Sequence, residues 1–352
     1  MKENRFMKKS IFAIGIVLSI MLIMLCSCSN KTNPANSFST WTDNAVPKKE
    51  IIEYVENVTN KDSKDYIPVD DRIAVFDMDG TLFCETDPTY YEYMMAFDII
   101  LAEYKSSGAY ADLIDDINEA LKTGYVSDEL ELKLSDMEYK CYLNYDIDSY
   151  KEYINEFLNN ETRSYSNLYI KDALYKPMIS IIKYLQDNDF IVYVVSGTER
   201  NFVRAVVCNG AGVKENNVIG MDFDWKAKNQ GSIRNSEYQY TRNEEIVVSG
   251  PCYDVNVKTN KVLMISEEIG KVPVLAFGNS TGDVSMLEYT LSNKKYKSKG
   301  FLVLCDDTDR ENGNLSKAEN IKNICDERGF VSISMKNDWK TIYGDGVEKI
   351  FD

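Results

Sequence analysis

At every position from Ile73 to Phe76 the chain is apolar, and the run stops at Asp77-Met78-Asp79-Gly80-Thr81. A strand with one wet face alternates apolar and polar residues. One that is apolar throughout is covered on both faces, as in a parallel sheet sandwiched between helices. The pattern recurs at residues 190–195 (FIVYVV), 273–277 (PVLAF) and 301–304 (FLVL), and, with Ser332 interrupting it, at 330–333 (FVSI). Helical spacing of apolar residues lies between several of these runs, at 172–187, about 200–208 and from about Asn260. Strand and helix in alternation predict an α/β fold, a mostly parallel sheet with helices on both faces. The asparagine- and glycine-containing segment between the last two strands reads as a surface loop, and 210–256 as a small β excursion.

In open α/β sheets ligands bind beyond the carboxyl ends of the strands, and the turns there carry chemistry-bearing residues. Asp77 and Asp79 suit a division of labour in which one carboxylate attacks phosphorus and the other protonates the leaving oxygen and later activates water. Gly80 permits a tight turn, and Thr81 can hydrogen-bond a carboxylate within it. An acidic calcium loop would need further oxygen ligands and a glutamate at its twelfth position, whereas Leu82, Phe83 and Cys84 follow here. Strand 190–195 runs into Ser196-Gly197-Thr198, where a hydroxyl and small residues ahead of a helix can hold an anion or simply cap the helix. Lys261, near the start of the helix from Asn260, sits where a lysine opposes the helix dipole unless an anion is near, and Lys258 competes with it. Strand 273–277 delivers Gly278-Asn279-Ser280-Thr281-Gly282-Asp283, a source of oxygen ligands for a hard cation such as Mg²⁺.

The chain has no histidine. That removes Ser-His-Asp and Cys-His hydrolases, histidine phosphatases and every histidine-ligated metal site, so that nucleophile, acid and base come from Asp, Glu, Lys, Ser, Cys or Tyr, and the Asp77–Asp79 pair gains weight. Six cysteines follow Cys28, at 84, 141, 208, 252, 305 and 325, with no C-x-x-C pair. Their pairing is open; Cys84 with Cys141 and Cys208 with Cys252 are two of many possibilities.

A basic start (MKENRFMKKS), the apolar run IFAIGIVLSIMLIML and the small residues CSCSN form a bacterial secretory signal over residues 1–28. It resembles a lipoprotein signal with Cys28, preceded by the small Ser27, as the lipid acceptor. The body is then expected to be extracytoplasmic and lipid-anchored. Residues 29–47 are polar and aperiodic and read as a tether. Residues 48–85 and 171–352 read as the core, and 86–170, with helical spacing in three stretches, as an inserted helical cap. Net charge is −16, and −19 once the four basic residues and one acid of 1–28 are set aside, which argues against nucleic acid as a partner.

Four motifs in order, DMDGT, SGT, a lysine and GNSTGD, each turn following an apolar strand, resemble the haloacid dehalogenase superfamily of phosphohydrolases over about residues 70–290. The resemblance implies a Rossmann-like core. It implies Asp77 as nucleophile, Asp79 as acid/base, Lys261 as the catalytic lysine, and Ser196, Gly197 and Thr198 as ligands of a small phosphorylated substrate. Asp77, Asp79, Asn279 and Asp283 are implied as the Mg²⁺ site; Asn279 departs from the aspartate of many members. The helical insert is similar to that of C1-capped members such as phosphoserine phosphatase and phosphorylcholine phosphatase. An aspartate at 79 favours phosphate chemistry over dehalogenation. Phosphotransferases share these residues, and a tethered binding protein that has lost catalysis would keep the fold. Beside the first motif, Glu85 and Asp87 could meet a substrate amine, and Tyr90, Tyr91 and Tyr93 a quaternary ammonium.

Overall fold

The computed structural model describes residues 37–105, 110–252 and 255–350. The signal read in residues 1–28, and the first part of the tether, lie outside the described residues. In chain order the principal elements are α1 (Val46–Thr59), β1 (Ile73–Phe76), α2 (Tyr91–Tyr104), α3 (Ala111–Thr123), α4 (Asp128–Tyr142), α5 (Ile147–Leu158), β2 (Tyr165–Ser166) and α6 (Lys176–Asp187). They continue with β3 (Ile191–Glu199), α7 (Arg200–Ala211), β4 (Val218–Met221), β5 (Asp224–Ala227), β6 (Ile246–Gly250), α8 (Thr259–Glu268), β7 (Leu275–Gly278) and α9 (Val284–Leu291). Last come β8 (Lys299–Leu304), α10 (Leu315–Arg328), β9 (Val331–Ser334), α11 (Met335–Asp338) and β10 (Glu348–Lys349).

Six strands form one sheet in the order β4-β3-β1-β7-β8-β9, every pair parallel. β1 lies inside it, with Phe76 opposite Val194 on one side and Phe277 on the other. Successive side chains point to opposite faces, so Ala74 and Phe76 enter one core while Ile73 and Val75 enter another. The first core is closed by α1, α6 and α7, through residues such as Val55, Ile181 and Val203. The second is closed by α8, α9 and α10, through Ile265, Met286, Leu287 and Ile321. Phe76, Phe277 and Phe301 stack across three strands at centroid distances of 4.2 and 4.8 Å; each such pair contributes about 0.5–1.5 kcal/mol beyond its burial.

Between β1 and α6 the chain inserts α2 to α5. α4 is an addition to the helices legible in the sequence; Ser127 caps it by accepting from Leu130 N at 3.1 Å. The hairpin β5–β6, antiparallel and outside the main sheet, docks on this insertion. Val248 N donates to Tyr145 O at 3.0 Å, and Tyr142 and Tyr150 pack against Phe223, with Tyr150 also against Trp225. The cover over the sheet is therefore built from two excursions of the chain.

Three expectations are corrected. Residues 37–47 are not a tether: Phe38, Trp41 and Ala45 are buried, and Trp41 Nε1 donates to Pro177 O and Ser180 Oγ, both at 3.1 Å. The expected loop between the last two strands holds the fourteen-residue α10, capped by Asn314 at 2.9 Å and ended by Gly329 in the left-handed region at φ 74°. The six described cysteines are all free thiols, so neither suggested disulfide exists. No helix among the described residues is long and apolar enough to cross a membrane.

Candidate active site

The carboxyl ends of β1, β3 and β7 meet the start of α8 around one cavity of about 230 Å³. Asp77 N extends the sheet by donating to Phe277 O at 2.9 Å, which holds the carboxylate at the strand end. Thr81 Oγ1 donates to Asp77 Oδ2 at 3.1 Å. Gly80 has φ +74°, a conformation in which any side chain is strained, and a Cβ there would stand 1.9 Å from Asn279 Nδ2 and displace that side chain.

Lys261, not Lys258, is the lysine of the site. Its Nζ donates to Asp77 Oδ1 at 2.6 Å, Asp283 Oδ1 at 2.7 Å and Val195 O at 2.8 Å, using all three protons inside the core. Lys258 is exposed ahead of α8. Asp283 is fully engaged: its Oδ2 accepts from Asn279 N, Ser280 N and Ser280 Oγ at 3.0–3.1 Å. Asp79 Oδ2 accepts from Thr198 Oγ1 at 2.8 Å.

The Ser196-Gly197-Thr198 segment differs from expectation in its setting. β3 continues through it to Glu199, and Glu199 Oε2 caps α7 by accepting from Asn201 N and Phe202 N at 2.8 and 3.1 Å. The amides of Asn201 and Phe202 at the start of α7 are thus already occupied. Gly197 and Thr198 line the cavity, while Ser196 is buried beneath it, its Oγ accepting from Thr198 N at 3.1 Å.

Burial sets the electrostatics. It pushes Asp77 up, to about 6, with the Asp283 charge adding to it and Lys261 opposing. Burial, then the Asp77 charge, raises Asp79 to about 7, Thr198 offsetting part. Burial pulls Lys261 down, but Asp283 and Asp77 more than offset it and hold the ammonium above the usual lysine range. For Asp283 burial is outweighed by Lys261 and the turn amides, which keep it below the usual carboxylate range.

From the insertion, Glu85, Tyr90, Glu92, Tyr93 and Glu131 line the opposite wall. Glu92 and Glu131 are functional candidates that the sequence patterns did not single out; nothing in helical spacing marks them, because only the fold turns that wall toward β1. Asp87 and Tyr91, by contrast, are structural. Asp87 accepts from Ser164 N, Arg163 N and Tyr91 Oη at 2.6, 2.7 and 2.9 Å, and Tyr91 packs on Phe83. Behind the wall, Glu92 Oε1 accepts from Glu199 N at 2.8 Å, with Glu138 of α4 nearby.

Among the described residues no group of three or more carboxylate, thiol or imidazole side chains is arranged to hold a metal. The oxygens around the cavity, of Asp77, Asp79, Asn279 and Asp283, are all hard donors. They fit a Mg²⁺ ion, which takes one or two carboxylates and keeps waters.

Residues 74–288 match the family model described as haloacid dehalogenase-like hydrolase. The chain has no match among curated proteins. Among solved structures, a conserved functionally unknown protein from Anaerococcus prevotii DSM 20548 is 16% identical, covering 82% of this chain and 91% of its own, at TM-score 0.48. A protein of unknown function from Bordetella pertussis Tohama I is 16% identical over 74% of this chain and 97% of its own, at TM-score 0.45. A phosphoserine phosphohydrolase-like protein from Francisella tularensis subsp. tularensis SCHU S4 is 15% identical over 72% and 92%, at TM-score 0.37. Likenesses this distant add nothing to the reading of the site.

Proposed function

Because the chain belongs to the haloacid dehalogenase-like hydrolases, matched over residues 74–288, we propose that it is a Mg²⁺-dependent phosphomonoester hydrolase working through an aspartyl-phosphate. The observation that carries this is the placement of Asp77 and Asp79 in one cavity with Lys261 bound to the first and Thr198 to the second. A carboxylate of Asp77 attacks phosphorus in line, and the P–O bond to the leaving alcohol breaks. Asp79, raised to about 7, gives its proton to the departing oxygen. The resulting Asp79 carboxylate then takes a proton from water, whose oxygen attacks phosphorus and frees Asp77 and inorganic phosphate. Lys261 balances the negative charge that would otherwise keep an anionic phosphate from an anionic nucleophile. Gly197 and Thr198 bound the phosphoryl end, and Ser196 fixes their backbone.

Asp77 and Asn279 would hold Mg²⁺, with Asp79 beside it and Asp283 acting by charge, since its oxygens are taken by Lys261 and the turn. Bound there, the ion supplies neutralisation of the phosphoryl oxygens. The deciding experiment is p-nitrophenyl phosphate hydrolysis by the full chain in detergent, with Mg²⁺ and with EDTA. Turnover should stop with EDTA, and Asp77→Asn should lower kcat by at least roughly a thousandfold with an unchanged circular dichroism spectrum. Normal activity in that variant would sink the assignment.

The substrate is a small extracytoplasmic phosphoester, and the protein is held at the membrane by lipid on Cys28. Support for this is the signal in residues 1–28. Radiolabelled palmitate should enter the wild-type protein and not Cys28→Ala; label in both would refute the anchor.

A further inference from the structure

Asn279 stands where a carboxylate would strengthen a cation site, and its surroundings give a reason for the amide. Its Nδ2 donates to Glu85 Oε1 at 3.0 Å. A carboxylate has no proton to offer, so this bond exists only with the NH₂ arm of the amide toward Glu85. The carbonyl arm, Oδ1, is thereby turned away from it. The backbone is pinned as well: Asn279 N donates to Asp283 Oδ2 at 3.1 Å, and the residue is buried at the edge of the cavity. Both partners pack over the catalytic turn, since a Cβ on Gly80 would stand 1.9 Å from Asn279 Nδ2 and 3.0 Å from Glu85 Cδ. Glu85 is itself held from behind. Lys317 of α10 pairs with it, and Tyr90 Oη donates to its Oε1 at 3.2 Å. The chain on either side is tied down, with Cys84 N donating to Ala173 O and Asn312 Nδ2 to Thr86 O, both at 2.8 Å.

We propose that Glu85 is a positioning residue for the cation site: it fixes the Asn279 amide so that the carbonyl oxygen, the one arm able to ligate a cation, is kept free of the protein's own bond. The inference rests on the Mg²⁺-dependent reading and deepens it. A ligand whose direction is set by an outer partner loses affinity when that partner is removed, because the site must then order it on binding. The pairing also explains why an amide serves at 279. An aspartate there would set two carboxylates against each other in place of the 3.0 Å bond, and one would have to take a proton or swing away. Lys317 offsets only one of the two charges. The position therefore gives up a charge and gains a fixed direction.

Calorimetric titration of the full chain in detergent with Mg²⁺ alone, without phosphoester, tests this role. Glu85→Ala should raise the dissociation constant about 10–100-fold, whereas Glu85→Gln, whose carbonyl still accepts from Asn279, should stay near wild type. Asn279→Asp is the sharper case. It adds a charge to the site, yet with Glu85 in place it should weaken Mg²⁺ binding, and adding Glu85→Gln, which supplies a donor to the new carboxylate, should restore it. The Mg²⁺ concentration for half-maximal p-nitrophenyl phosphate turnover should move in the same direction in each variant. Unchanged affinity in Glu85→Ala, or tighter binding in Asn279→Asp alone, overturns the positioning role and leaves the Mg²⁺ reading standing. If Glu85→Ala does not fold, Asn279→Asp with and without Glu85→Gln decides the matter. A wild-type chain that binds no Mg²⁺ removes the metal site, and the positioning role with it.

Discussion

Asp79 illustrates how one side chain is set to its task by what surrounds it. Burial and the neighbouring Asp77 charge raise it to about 7, and Thr198 fixes its direction. A proton held there matters in proportion to how badly the leaving group needs it. Asp79→Asn should therefore lower kcat for an alkyl phosphate by about 10²–10⁴-fold while costing much less for p-nitrophenyl phosphate, whose phenolate departs unaided. Equal losses on both substrates would place Asp79 outside proton transfer. The residues of this centre were legible because the motif residues follow apolar runs directly; Lys261 against Lys258 was not, since a choice between positions three apart at a helix start is decided by which side chain reaches Asp77 inside the fold.

At the level of elements, α2, α4 and the end of β3 meet through Glu92, Glu138 and Glu199. Burial, with Glu199 adding to it, pushes Glu138 to about 8; burial, opposed by the Phe202 amide, leaves Glu199 at about 7. Both lie above the free glutamate value of 4.5. Between pH 4.5 and 8 the folded chain thus holds protons that the unfolded chain has lost, so this contribution is complete below 4.5 and disappears as pH rises toward 8. Holding a proton tenfold more tightly in the folded chain is equivalent to about 1.4 kcal/mol. Wild type should lose more Tm between pH 5 and pH 8 than Glu138→Gln, by roughly 2–4 °C per kcal/mol for a domain of this order; parallel profiles would refute the interface. Five of the six sheet strands could be read from sequence as short apolar runs bounded by turn signals; β4 could not, since 210–256 reads as a small β excursion, whereas Val218–Met221 joins the main sheet beside β3. α4 and α10 could not: α4 is charged at Asp128, Glu129, Glu131 and Lys133, and the Asn312-Gly313-Asn314 turn signal masks the cap of α10. The docking of β5–β6 on the insertion is a long-range event with no local signature.

Across the whole molecule, the described chain begins by wedging Phe38 and Trp41 into the face closed by α6. Trp41 packs at 6.3 Å on Trp339 and bonds to the first turn of α6, while Thr42 N donates to Asp338 O at 2.8 Å. Isolated aromatics in a polar stretch carry no periodicity, and their partners lie 136 and 298 residues away, which is why the segment reads as loose in sequence. Trp41→Ala should destabilise the protein by about 3–5 kcal/mol, seen in chemical denaturation; an unchanged midpoint would mean the wedge is not a structural part of the domain. The same wedge would shorten the leash of the proposed lipid anchor. With Cys28 as the lipid-bearing residue, ten peptide units separate it from Phe38, and a chain reaches at most about 3.6 Å per residue, or roughly 36 Å. An enzyme moored that closely would sample a layer of water only about one protein diameter deep, so that, were Cys28 lipidated, its encounters would be with phosphoesters released at or diffusing along the bilayer surface, and its rate in the cell would follow their concentration there and not in the bulk.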